Sequence, residues 1–324
     1  MTSPPLVALA LALVLAACGG SDGTDPDAAG DDGGGDDGAG NDGAQELDAP
    51  ADGATGCGST TLPLADLGGT EGIAIADDGT TYYSQSGAVG RWVPGGPAVD
   101  QWVTLTGATT VWGLALAPGG ILYVGSPGNS GGRIWRIDTA AATPTATTYL
   151  MSAGGANGVT VGPDGAVYYS DYAGTHVYRV AQANVRTQVT TAPIAQPNGV
   201  LFDADGTLLV ASYNSGDIHR LTLTAGAETA RTVALAGATG MTGNPDGLAR
   251  DSQGRLYVTD NGGGRVLRFA AATDGTFGAR EQLLTGVSSA ANMAFGRGTL
   301  ACSDLYVTSS GALRRIAAGA SGVP

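Results

Sequence analysis

The sequence of 324 residues contains no lysine, only two histidines and only three cysteines. So few nitrogen and sulfur ligands argue against a zinc or iron centre built from a His or Cys cluster. Basic residues are also scarce, because 15 arginines stand against 29 acidic residues, and this balance disfavours nucleic-acid binding. Aromatic residues make up 6% of the chain, and the apolar run at residues 6–17 is too short to span a bilayer.

The first 17 residues have the features of a signal peptide, except that no Lys or Arg precedes the apolar run. The run ends in Leu15-Ala16-Ala17-Cys18, which resembles a bacterial lipobox. That resemblance implies cleavage before Cys18, lipidation of its thiol and attachment to a membrane of the bacterial cell envelope. Gly19 and Gly20, in place of an Asp, favour the outer membrane over the inner one. An ordinary signal peptide followed by an unrelated cysteine is the alternative.

Residues 18–56 are expected to form a disordered tether, because they are almost entirely Gly, Asp and Ala. Residues 19–55 hold 11 acidic residues and no basic one. Most of the formal charge of −14 therefore belongs to this segment, and the 18 acids and 15 arginines that remain leave the following domain nearly neutral. A solvated spacer is favoured over a calcium-binding Asp-Gly run.

One phrase occurs six times after residue 70. Each copy has a polar or aromatic residue, a small residue that is usually Gly, an apolar stretch, an Asp/Gly turn, a strand that usually contains Tyr and a strand that contains Arg. The first residues of successive copies are 41, 45, 41, 48 and 46 positions apart. This period and the many β-formers predict four-stranded antiparallel blades and not a helical solenoid. We therefore expect residues 57–324 to be an all-β domain, a six-bladed β-propeller, and the protein to be a monomer.

Cys57 and Cys302 remain as an even pair if Cys18 is lipidated. An even pair in an oxidising compartment favours a disulfide. The position of residues 60–64 supports this pairing, since propellers commonly close when an N-terminal strand completes the last blade, which contains Cys302. Two unpaired buried thiols are the alternative.

Six residues are predicted to meet at one mouth of the central channel, because each begins the innermost strand of a blade. They are Glu71, Trp112, Asn157, Asn198, Asp246 and Asn292. Carboxylate and amide oxygens are the ligands that Ca²⁺ prefers, and Mg²⁺ or Mn²⁺ also accept them. Trp112 and Asn292 would line a substrate pocket, with Trp112 either favouring an apolar or ring-shaped substrate or simply packing. The two histidines, His176 and His219, are interpreted as structural.

The phrases around these residues resemble the gluconolactonase/regucalcin family, also called senescence marker protein-like, whose members are six-bladed propellers related to paraoxonases. The motifs are Glu71-Gly72, Asn157-Gly158, Pro197-Asn198-Gly199-Val200, Pro245-Asp246-Gly247-Leu248 and Ala294-Phe295-Gly296, and the similarity covers about residues 60–320. The resemblance implies that Glu71, Asn198 and Asp246 hold a divalent metal, with Asn157 close to the metal or the substrate. It also implies hydrolysis of a lactone or ester by metal-activated water, with Asp246 as the general base.

Two departures from that family limit the substrate. Sugar-lactone members carry an Arg two residues before the third-blade Asn, where this chain has Gly155, and a histidine of some paraoxonase-like relatives has no counterpart. Gluconolactone is therefore not the expected substrate.

Other functions stay open, because fold does not decide function. NHL-type propellers use the same phrase without a metal, so the alternative is a noncatalytic surface-binding or scaffold propeller. Such a module would depend on loop residues such as Tyr172, Tyr213 and Asn261. A redox propeller with a quinone cofactor comes third, since the basic residues that would hold the cofactor are not visible.

Overall fold

The structure is a computed structural model that describes residues 57–64, 67–68, 71–128, 131–237 and 243–323. The predicted signal peptide (residues 1–17), the lipidation site Cys18 and the predicted tether (residues 18–56) lie outside these residues. Within the described part, no helix has the length and apolar character needed to cross a membrane.

The described residues form six antiparallel sheets arranged in chain order. Blade 1 contains β1 (Ile73–Ile75), β2 (Thr81–Gln85), β3 (Ala88–Trp92) and β4 (Ala98–Thr104). Blade 2 contains β5 (Leu114–Ala117), β6 (Ile121–Ser126), β7 (Arg133–Asp138) and β8 (Ala146–Met151). Blade 3 contains β9 (Ala156–Val161), β10 (Val167–Asp171), β11 (Val177–Gln182) and β12 (Val185–Gln188).

The second half of the domain repeats this pattern. Blade 4 contains β13 (Pro197–Phe202), β14 (Leu208–Ser212), β15 (Ile218–Thr224) and β16 (Ala227–Leu235). Blade 5 contains β17 (Pro245–Arg250), β18 (Leu256–Asp260), β19 (Arg265–Ala271) and β20 (Phe277–Thr285). Blade 6 contains β21 (Ala290–Phe295), β22 (Asp304–Ser309) and β23 (Ala312–Ala317).

The first strands of the blades close into a ring. Each of β1, β5, β9, β13, β17 and β21 contacts the first strand of the next blade, and β21 contacts β1. These six strands therefore surround the channel axis, which confirms the predicted all-β, six-bladed propeller.

The hydrophobic core consists of six clusters, each between two neighbouring blades. Between blades 4 and 5, for example, Leu209 and Ile218 pack against Leu256 and Val258, and all four are fully buried. Burying one such side chain contributes about 1.5–3 kcal/mol. The core therefore holds each blade to its neighbours on both sides and fixes the channel between them.

The Arg of each third strand lies opposite the Tyr or Leu of the second strand. In blade 3, Arg179 pairs in register with Tyr168, and both side chains bind Asp164 of the Asp-Gly turn, at 2.7 Å and 3.0 Å. In blade 3 the Arg, Tyr and Asp of the repeat therefore bind one another at the end of the blade where the first turn lies.

The N-terminal segment joins blade 6, but not as its outermost strand. Thr60 forms a single parallel bridge with Leu300 in the β21–β22 turn, and Gly58 N donates to Gly298 O at 2.7 Å. The prediction that residues 60–64 form a fourth strand is wrong, because Leu62 and Leu67 turn into the core between blades 6 and 1. Cys57 and Cys302 form a disulfide, as the sequence predicts.

Candidate metal site at the channel mouth

One residue from each blade stands at the end of the channel where the inner strands begin, which we call the upper mouth. By strand register these ring residues are Glu71, Trp112, Asn157, Asn198, Asp246 and Ala291. The first five are the residues that the sequence predicts. The two acids and the two amides of the predicted metal site therefore belong to one ring.

The glycine that follows most ring residues lets neighbouring blades approach. A Cβ added to Gly113, Gly158 or Gly199 would overlap the carbonyl oxygen of the next ring residue, namely Asn157, Asn198 or Asp246. Any side chain at these positions would push the inner strands apart. The small residue of the sequence phrase therefore sets the width of the ring.

A hydroxyl from the second strand then joins adjacent ring positions. In blade 3, Ser170 Oγ accepts from Gly158 N at 2.9 Å and donates to Asn198 O of blade 4 at 2.5 Å. In blade 5, Thr259 Oγ1 accepts from Gly247 N at 2.7 Å and donates to Ala291 O of blade 6. These bonds hold the backbone of the ring in place across blade boundaries.

Asn292 is not a ring residue, which corrects the prediction by one position. Met293 pairs with Val307 as Leu248 pairs with Val258, and Asn292 N donates to Thr308 Oγ1 at 2.9 Å. Asn292 thus occupies the position that glycine holds in the other blades. The sequence misplaced it because blade 6 has no glycine there to mark the register.

The channel below the ring opens into a cavity of about 1430 Å³. Apolar inner-strand residues line it, and Asn292 and Arg250 are among its polar residues. Neither the four predicted metal ligands nor Trp112 lines this cavity. Asn292 therefore lines the lower cavity, apart from Trp112, and the substrate pocket that the sequence assigns to these two residues stays a prediction.

Three side-chain oxygens of the ring are buried without a hydrogen-bond partner among the described residues. They are Asn157 Oδ1, Asn198 Oδ1 and Asp246 Oδ1, in residues that are 4%, 2% and 4% exposed. A buried polar atom without a partner costs about 1–3 kcal/mol. Buried oxygen atoms without a hydrogen-bond partner are suitable ligands for Ca²⁺, Mg²⁺ or Mn²⁺.

Both carboxyl groups of the ring have a raised pKa. Burial raises the pKa of Glu71 from 4.5 to about 7. Burial, and then the charge of Glu71, raise the pKa of Asp246 well above its ordinary value, although the Asn198 amide lowers it. The described residues contain no group of three or more His, Cys, Asp or Glu placed for a metal ion, so a metal here would need the amide oxygens as well.

A second layer of residues follows the second strands of blades 3, 4 and 5. The backbone N–H groups of Tyr172, Tyr213 and Asn261 donate to Gly155 O, Gln196 O and Asn244 O at 2.9, 3.0 and 2.9 Å. The three side chains therefore occupy equivalent positions, two residues above the ring in each blade. All three are half-buried, not freely exposed as their loop position suggested.

These residues contact the ring and each other. Asn261 Nδ2 donates to Asp246 Oδ2 at 3.3 Å, and Tyr213 Oη donates to Asn261 Oδ1 at 3.2 Å. Tyr172 packs edge-on between Trp112 and Tyr213. In the sequence, each of these residues directly follows the last residue of a second strand. The six-fold repeat therefore marks their positions.

The histidines lie away from the ring, as predicted. His176 Nδ1 and Thr190 Oγ1 are 2.8 Å apart, and His219 lies in β15 opposite Val210 and Val233. Burial lowers the pKa of His219.

A family model matches residues 172–311, and its description is the SMP-30/Gluconolactonase/LRE-like region. The matched segment spans blades 4 and 5 and parts of blades 3 and 6. It contains Asn198 and Asp246 of the ring and the second-layer residues Tyr172, Tyr213 and Asn261. The predicted resemblance to the gluconolactonase/regucalcin family is confirmed. No curated protein sequence matches the chain.

Solved structures share the fold of this chain. A gluconolactonase from Xanthomonas campestris has a TM-score of 0.61 and 22% identity, over 83% of this chain and 96% of its own. A calcium-binding protein, regucalcin from Agrobacterium tumefaciens, has a TM-score of 0.61 and 22% identity, over 79% and 92%. A virginiamycin B lyase from Staphylococcus aureus has a TM-score of 0.57 and 16% identity, over 77% and 86%. At these identities the likeness concerns the fold alone.

Proposed function

We propose that the upper mouth binds Ca²⁺, in preference to Mg²⁺ or Mn²⁺, and hydrolyses a lactone or ester. The observation that carries the proposal is the ring of unpaired oxygens, Asn157 Oδ1, Asn198 Oδ1 and Asp246 Oδ1, beside the Glu71 carboxyl group. A cation held by these four residues would satisfy the oxygens and compensate the two carboxylates.

The family match and the gluconolactonase and regucalcin folds support both parts of the proposal. Gly155 argues against a sugar lactone as the substrate. A Cβ there would lie 2.5 Å from Ala173 N and 2.8 Å from Ala173 Cβ, so no basic side chain can be accommodated at this position without movement of the loop. The proposed substrate is therefore a lactone or ester other than gluconolactone.

Each residue of the site has a role in the reaction. A divalent cation held by the four ring residues would polarise the substrate carbonyl and lower the pKa of the attacking water. Asp246 is the general base that accepts a proton from that water, and Asn261 fixes the Asp246 carboxylate through Oδ2. The water oxygen bonds to the carbonyl carbon, the acyl C–O bond breaks, and the proton on Asp246 passes to the leaving oxygen. Asn157 and Asn198 orient their amide oxygens into the ring.

Thermal unfolding with excess Ca²⁺ and with chelator tests the site. Calcium at 100 times its Kd should stabilise the wild type by about 2.7 kcal/mol. The variant Glu71→Gln/Asp246→Asn should lose this effect. The matched control Asp77→Asn/Glu281→Gln changes two carboxylates of surface ion pairs and should keep it. Identical curves with and without chelator, together with no bound metal by elemental analysis, would refute the metal site.

Turnover is tested separately. Hydrolysis of simple aryl esters or lactones should stop on addition of chelator, and Asp246→Asn should abolish it with the fold intact. A protein that binds calcium but hydrolyses none of these substrates would contradict the catalytic part alone.

A noncatalytic binding propeller is the second candidate, and the half-buried aromatic residues at the mouth favour it. Such a module would lose affinity for its ligand when Tyr172 or Tyr213 is changed and would be insensitive to chelator. The structure links these residues to Asp246 through Asn261, so the two candidates share one surface.

Anchoring in the bacterial envelope through Cys18 is also part of the proposal. Radiolabelled palmitate should enter the wild type in a bacterial host and not the Cys18→Ser variant. Label in both proteins, or in neither, would refute it.

A further inference from the structure

We infer that the site takes uncharged substrates that carry an aromatic or other flat apolar ring, bound against a wall of Trp112, Tyr172 and Tyr213. This inference rests on the proposed function, because it names the substrate class of the same site. It assigns specificity to three residues that lie on three consecutive blades.

The wall is continuous. The ring centroids of Trp112 and Tyr172 are 5.8 Å apart at an interplanar angle of 74°, and those of Tyr172 and Tyr213 are 5.4 Å apart at 81°. Edge-to-face contacts at these distances stabilise aromatic pairs and keep the rings in fixed orientations. Each of the three side chains is half-buried, so part of each ring remains available to a ligand.

The wall lies beside the reacting groups. Trp112 is itself a ring residue, and Tyr213 connects through Asn261 to Asp246. After burial, the charges of Asp246 and Glu71 raise the pKa of Tyr172. A substrate whose carbonyl reaches Asp246 would therefore place its substituent against these aromatic side chains.

Besides the proposed cation, the described part of the chain supplies no arginine that acts on the groups of the mouth. Among the described residues, none of the groups that shift the pKa of Glu71, Asp246, Tyr172 or Tyr213 is an arginine. Arginines at this end of blades 2, 3 and 5 are engaged elsewhere: Arg133 lies 5.1 Å from the Trp135 centroid, Arg186 lies 4.6 Å from the Tyr178 centroid, and Arg265 binds Asp260 at 2.7 Å.

An anionic substituent against the wall would thus meet the negative faces of three aromatic rings, with no arginine of the described residues to pair with it. A neutral ring would bury apolar area against the same wall. The charge and the shape of the mouth therefore favour one substrate class.

Three γ-lactones that differ only in the γ-substituent test the inference on the wild-type holoprotein with Ca²⁺. The substituents are phenyl, methyl and 4-carboxyphenyl. We expect kcat/KM for the phenyl lactone to exceed that for each of the other two at least about fivefold. Equal or better turnover of the 4-carboxyphenyl lactone would overturn the inference.

Variants locate the effect. Trp112→Leu and Tyr172→Leu should each raise KM for the phenyl lactone about 3- to 10-fold, the size of one aromatic pair contact. Both should lower the phenyl-to-methyl ratio of kcat/KM. The control Tyr149→Leu removes a half-buried tyrosine of another aromatic pair, on the outer strand β8, and should leave that ratio unchanged. An unchanged ratio in both wall variants would overturn the inference.

Binding of the corresponding γ-lactams, measured by calorimetry, separates this inference from the proposed function. One outcome is that turnover is absent while the phenyl lactam binds more tightly than the 4-carboxyphenyl lactam and loses affinity in Trp112→Leu. That result would support the substrate preference of the aromatic wall and refute the hydrolase activity. Chelator-sensitive turnover without any preference for the phenyl ring in turnover or binding would support the hydrolase activity and refute the substrate preference of the aromatic wall.

Discussion

Asn261 Nδ2 donates a hydrogen bond over 3.3 Å to Asp246 Oδ2, in the ring carboxyl group that also lies near the charge of Glu71. The same amide donates to Ala290 O at 3.2 Å. Asn261 therefore connects the general base proposed in blade 5 to the backbone of blade 6. It is a positioning residue, because it acts through Asp246.

Replacement of Asn261 should change the pH dependence of the reaction. Asn261→Ala removes a donor that favours the ionised form of Asp246, so the acidic limb of kcat/KM should move to higher pH. A charge-assisted hydrogen bond of this kind contributes about 1.5–3 kcal/mol, so the shift should be about one pH unit or more. Gln182→Ala, which removes an exposed amide on β11, should leave the profile unchanged. A lower rate at all pH values without a shift would contradict the role of Asn261.

The metal-free protein should lose stability as the pH rises. Burial raises the folded pKa of Glu71 from 4.5 to about 7, so the folded state holds a proton that the unfolded state releases. The destabilisation is absent below about pH 4.5 and complete above about pH 7. Asp246, whose pKa is also raised, adds to it in the same direction.

Urea unfolding in chelator from pH 4.5 to 8 measures this effect. Relative to the wild type, Glu71→Gln/Asp246→Asn should gain at least about 1.4 kcal/mol over this range, the equivalent of one pKa unit. A constant difference between the two proteins would show that the carboxyl groups do not titrate as described.

Gly199 should tolerate no side chain. A Cβ at this position would overlap the carbonyl oxygen of Asp246, so Gly199→Ala must displace β13 or β17. We expect a loss of about 1–3 kcal/mol or more and weaker calcium binding. Gly278→Ala is the matched control, because its Cβ would come no closer than 4.0 Å to Ala270 O. Equal losses in the two variants would contradict the role of Gly199 in setting the ring spacing.

The disulfide should contribute strongly to stability. Cys57 and Cys302 are separated by 245 residues, and loss of a native disulfide costs about 2–5 kcal/mol. The variant Cys57→Ser/Cys302→Ser should show a lower urea midpoint than the oxidised wild type and match the reduced wild type. Reduction that leaves the wild-type midpoint unchanged would contradict the prediction.

Most of the fold could be predicted from the sequence because each blade repeats the same pattern of strands and turns. Turn glycines, alternating apolar residues and an Arg in the third strand recur from blade to blade, and five of the six ring positions follow from the glycine after them. The sixth could not be found in this way. Neither Ala291 nor Asn292 is followed by a glycine, so only the strand register identifies the ring residue of blade 6.

Other features depended on packing between distant segments. The path of residues 60–64 follows from Leu62 and Leu67 burying in the core, which no local pattern distinguishes from an outer strand. The aromatic wall joins residues more than forty positions apart in the chain. The sequence indicates Tyr172 and Tyr213 as loop residues and Trp112 as a channel residue, but their contacts with each other depend on the closed arrangement of the blades.

The covalent link between Cys57 and Cys302 also determines how the domain would respond to a pulling force. Tension applied at Cys57 and at Val323 bypasses the 245-residue loop between the cysteines and loads only the segment after Cys302. At about 3.5 Å per residue, that segment of roughly 20 residues can lengthen by only about 70 Å, whereas the reduced chain could reach several hundred Å. Blades 1 to 5, with all four proposed ligands, are therefore shielded from mechanical load as long as the bond is intact.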